Sequence, residues 1–139
     1  MNSETQQLIL SFLATDINLF VMCKPILHPS YFDAQYRKPI KFLLEYFDKH
    51  KAVPSLDILK ASTGFSSETL ERNWMSKEDR EWAADSIEEH CIRRAIEAAI
   101  ANAPDLLIEE KYTEIELSLK HALQISLRRD LGTDYFADP

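Results

Sequence analysis

From residue 76 to residue 131 the apolar residues follow two successive helical periods that meet at a short joint, Ala103-Pro104, and a helical hairpin is the fold unit this pattern demands. The first arm opens with Ser76-Lys77-Glu78-Asp79, where the serine hydroxyl and the acid three residues on can satisfy N–H groups that a helix start leaves orphaned. From Ile87 it carries two adjacent seams, a mostly small one (Ile87, Cys91, Ala95, Ala98) and a bulky one (Ile92, Ile96, Ala99, Ile100). Together they span roughly 200°, about twice the stripe of a helix lying on one core. A second side therefore needs a cover, either the rest of this chain or another copy of it.

The return arm begins at Thr113-Glu114-Ile115-Glu116, again a capping pattern, and places Ile115, Leu119, Ala122, Leu123 and Leu127 on one stripe. Arg128 and Arg129 suit the negative end of a helix dipole, and Gly132 just beyond is a natural stop.

Only 2 glycines occur in 139 residues, which leaves little material for tight hairpins between strands, and the expected class is all-α. Residues 1–75 read as a small globular bundle. Thr5 to Leu13 is apolar on nearly every side, as a buried first helix would be; Asp16 caps a second helix, Ile17 to Cys23, that must finish before Pro25. A third, roughly Asp33 to Lys49, puts Tyr36, Ile40, Leu43, Leu44 and Phe47 on one face, with Pro39 tolerable if the regular helix starts near Lys38. Phe42 and Tyr46 lie on a second face that suits packing on a neighbouring helix. Ser55 caps a short helix that Gly64 ends, Ser66 or Ser67 starts another around Leu70, and Trp74 with Met75 is placed to seal the joint to the hairpin.

The residues offer little catalytic chemistry. No glycine-rich phosphate loop occurs, and His28, His50, His90 and His121 stand at no zinc-ligand spacing from one another or from a cysteine, so each reads as a surface or capping histidine and neither metal nor cofactor is expected. The acids from Glu78 to Glu89 complement the positive end of a helix. Cys23 and Cys91 are isolated in apolar runs, which fits buried thiols in a reducing cytoplasm, and the longest apolar run is too short for a bilayer span. A net charge of -7 argues against gripping nucleic acid directly, so the expected partners are proteins.

A wider pattern adds to this. Tyr31-Phe32-Asp33, Arg37, Ile40, Phe42-Leu43, Tyr46-Phe47, Lys51 and Pro54-Ser55-Leu56 resemble the N-terminal domain of DnaB-type replicative helicases, the bacteriophage branch with the T-even helicase in particular. Glu81-Trp82, Glu88-Glu89, Cys91 and Arg94-Ala95 are similar to the start of that family's hairpin, and Ala122-Leu123-Gln124-Ile125-Ser126 followed by Gly132, Asp134, Tyr135-Phe136 and Asp138 is similar to its end. The resemblance implies a bundle (1–75), a projecting hairpin (76–131) and the start of a linker (132–139, with Gly132, Tyr135 and Phe136) to a motor domain that these residues do not include. ATP, Mg and strand translocation would belong to that motor, and DNA would be met only through the full-length ring.

It also implies self-association as dimer pairs within a hexamer, through Ile92, Ile96, Ala99, Ile100, Leu119, Leu123 and Leu127, with primase and in some systems a helicase loader as further partners in the host cytoplasm. Two other readings stay open: the helicase-binding domain of a primase, and a free-standing phage adaptor of host replication proteins.

Overall fold

The computed structural model describes residues 2–67 and 75–137, from residue 126 onward as backbone only. The helix expected around Leu70, with Trp74, and the side chains of Leu127, Gly132, Tyr135 and Phe136 lie outside the described residues. The protein is all-α: six α-helices and two short 3-10 turns, with no strand among the described residues. No single helix there is long and apolar enough to cross a membrane. Two compact units divide the chain, residues 1–87 and 88–139.

The first unit is built around an elbow. Helix α1 (Ser3–Thr15) and α2 (Ile17–Cys23) meet at Asp16, with 110° between α1 and the segment that continues to Ile26. Asp16 serves both helices. Its backbone N–H closes α1 on the Phe12 carbonyl, and its carboxylate accepts from the Leu19 N–H to start α2. Helix α1 is apolar nearly all round and is buried accordingly, with Ile9, Leu10, Leu13 and Ala14 in the core. Its buried hydroxyls stay satisfied within the helix, Ser11 donating to the Gln7 carbonyl and Thr15 to that of Ser11.

Two 3-10 turns, Lys24–Ile26 and Pro29–Tyr31, lead to α3 (Ala34–His50), which packs on α1 and on α4 (Leu56–Thr63). Helix α3 covers the expected span from about Asp33 to Lys49, but it is regular from Ala34 and not only from near Lys38, so Pro39 lies inside it. The buried Pro39 takes its place on the core face beside Tyr36, Ile40 and Leu43, and that burial opposes the lost N–H. Tyr36 also donates to the Ser3 carbonyl, and Gln6 accepts from the Asp33 N–H, so the start of α3 is tied to α1 by polar contacts as well. Lys51 closes α3 in the left-handed conformation, φ 56°, and Gly64 closes α4 at φ 81°. Ser55 caps α4, as its position ahead of the apolar run predicts, by accepting from the Ile58 N–H.

Helix α5 (Lys77–Ile108) starts in this unit. Ser76 caps it through the Asp79 N–H, and Ala83, Ala84 and Ile87 are fully buried. The expected boundary at residue 75 lies just ahead of α5, whereas the division of the chain falls inside the helix, because its first turns are part of the bundle core.

The second unit holds the remainder of α5 and α6 (Tyr112–Ala137). The joint between them is Glu109–Lys111 and not Ala103-Pro104: α5 runs through Pro104 for another turn. It ends where Glu110 adopts φ 60°, with Glu110 donating to the Leu107 carbonyl and Lys111 to that of Leu106. This is the Schellman closure, and it provides partners for carbonyls at the helix end without a glycine. Helix α6 then starts one residue before Thr113 and continues through Gly132 to Ala137, so the residues expected to open a linker lie on helix in the backbone.

Candidate interaction surface

The three-residue joint is of the length that connects antiparallel helices, and the two arms cluster in one compact unit. Ala95 and Ile125 each stand fifteen residues from Glu110, and Ala99 and Ala122 stand eleven and twelve residues from it, so the four come level in pairs. All four are buried. They are small or compact, which suits closely approaching helices.

Apolar residues beside these positions remain in solvent. On α5, Ile100 is 63% exposed and Leu107 58%, with Ile96 half-buried on the same seam; on α6, Tyr112 is 60% exposed, Leu119 43% and Leu123 58%. At about 100° per residue, each exposed seam lies roughly 100° further round its helix, in the chain direction, than the buried positions. The helices run in opposite senses, so equal rotations in the chain direction carry both seams to the same side of an antiparallel hairpin. An antiparallel pairing of the two helices thus puts both seams on one apolar face. Charged pairs border it, Arg93 with Glu97 at 3.2 Å on α5 and Glu116 with Lys120 at 3.8 Å on α6. An apolar centre with a polar rim is the composition of a protein-binding surface.

The residues picked from sequence distribute unevenly over this face. Ile100, Leu119 and Leu123 are exposed on it, Ile92 and Ile96 are half-buried, and Ala99 is buried. Leu107 and Tyr112 belong to it but were missed, because a joint at Ala103-Pro104 turns residues 104–112 into a connection. Their signal was the helical spacing Ile96, Ile100, Ala103, Leu107, which continues across Pro104. Ile108 and Leu117 are exposed at 80% and 58% but project away from that side.

The remaining candidates for chemistry stay apart. Cys23 and Cys91 are both fully buried, as read from their apolar runs. His28, His50 and His121 are exposed, whereas His90 is buried, which corrects the surface reading: it follows Ile87 on a stretch of α5 that is covered on several sides. Phe42, Tyr46 and His50 form a ladder along α3, with centroids 5.9 and 4.4 Å apart. Among the described residues no three His, Cys, Asp or Glu side chains gather as a metal would require.

No family model, curated protein or solved structure matches this chain.

Proposed function

We propose that this chain is the oligomerisation and docking domain that precedes the motor of a DnaB-type hexameric replicative DNA helicase, and that it has no catalytic role of its own. The observation that carries the reading is the apolar face of the hairpin, where Ile100, Leu107, Tyr112, Leu119 and Leu123 are each between 43% and 63% exposed. Burying such side chains yields about 1.5 to 3 kcal/mol each when complete, so a face of this size favours association. A second copy offers the same face, and a two-fold contact between equivalent surfaces follows; repeated around a ring, it gives pairs within a hexamer.

Primase is the further partner in this reading, and a helicase loader in systems that use one. ATP and Mg act in the motor domain. DNA is engaged through the assembled ring, in keeping with a net charge of -7 on this domain.

The test is the mass in solution. Light scattering over a range of concentrations should give an assembly larger than one chain, and Ile100→Asp should lower it while circular dichroism keeps its helical signal. A wild-type protein that stays monomeric at high concentration, or an unchanged assembly in the variant, overturns the self-association. Capture of primase, compared with capture of a helicase motor, separates the helicase reading from that of a primase domain.

A further inference from the structure

We draw no further inference here: the strongest candidate, the 53% exposed indole of Trp82 beside Glu78, Asp79 and Asp85 on the first turns of α5, is an acidic cluster at a helix start, and nothing in the structure shows what would cover it.

Discussion

Arg80 grips Asp16 with two hydrogen bonds, Nε to Oδ1 at 3.1 Å and Nη2 to Oδ2 at 3.0 Å, and so ties the first turn of α5 to the elbow between α1 and α2, 64 residues earlier in the chain. The Asp16 side chain has no solvent exposure and that of Arg80 only 18%. A carboxylate in that position is tolerable only with its charge matched and its lone pairs occupied. Arg80 and the Leu19 N–H do both, while a further Arg80 N–H reaches the Met75 carbonyl. The bonds to Asp16 raise the pKa of Arg80 above its usual value, against the opposing effect of burial. A raised pKa stabilises the fold fully at any pH below the unfolded value, and that stabilisation is lost only as a strongly alkaline pH passes the folded one.

Removing the cation leaves the buried carboxylate unmatched. Arg80→Ala should cost about 3 to 5 kcal/mol, the range for breaking a buried pair from one side. Urea titration followed by circular dichroism reads this directly. A loss below about 1 kcal/mol, the level of an exposed ion pair, would mean that the pair contributes no more than a surface bridge.

Side-specificity distinguishes a real interface from general stickiness. Leu123→Asp, on the apolar face, should reduce the assembled mass as Ile100→Asp does. Leu117→Asp removes an equally exposed leucine, 58% in both cases, from another side of α6, and should leave the mass unchanged. Equal effects from the two leucine variants would refute a contact confined to one face.

Positive φ values give a reciprocal pair of stability tests. Glu110 sits at φ 60°, where an L side chain costs roughly 1 to 2 kcal/mol, partly offset on replacement by the greater entropy that glycine loses on folding. Glu110→Gly should therefore stabilise by about 0.5 to 1 kcal/mol. Gly64→Ala should do the opposite, at about 1 to 2 kcal/mol, with no steric clash involved, since a Cβ there meets nothing within 4 Å. Denaturant midpoints at constant slope are the measurement.

Pro104 lacks the N–H that would bond to the Ile100 carbonyl, yet α5 continues past it to Ile108. Pro104→Ala should raise the thermal midpoint, gaining up to about 3 kcal/mol, the penalty of proline in a helix interior. A lower midpoint would show instead that the second unit depends on the proline's geometry.

Much of this architecture is local and therefore readable along the chain. Asp16, Ser55 and Ser76 stand directly ahead of apolar helical periods, and each caps the helix it precedes, because capping needs only a short polar side chain and the next N–H groups. Gly64 ends α4 for an equally local reason. The readings that failed were those where a local rule met packing or chain reversal. Pro104 weakens a helix but does not end one whose apolar spacing persists beyond it, and the reversal went to Glu110, a residue with no turn signature of its own.

Sequence by itself determined the all-α class, most helix starts and the excess of apolar surface on the hairpin arms, since periodicity and capping act within a few residues. Tertiary structure alone decided the partnership of Arg80 with Asp16 and which of the adjacent apolar seams, those of Ile100 and Leu123, stay exposed. Those outcomes depend on which distant groups bury one another, and no spacing along the chain encodes that.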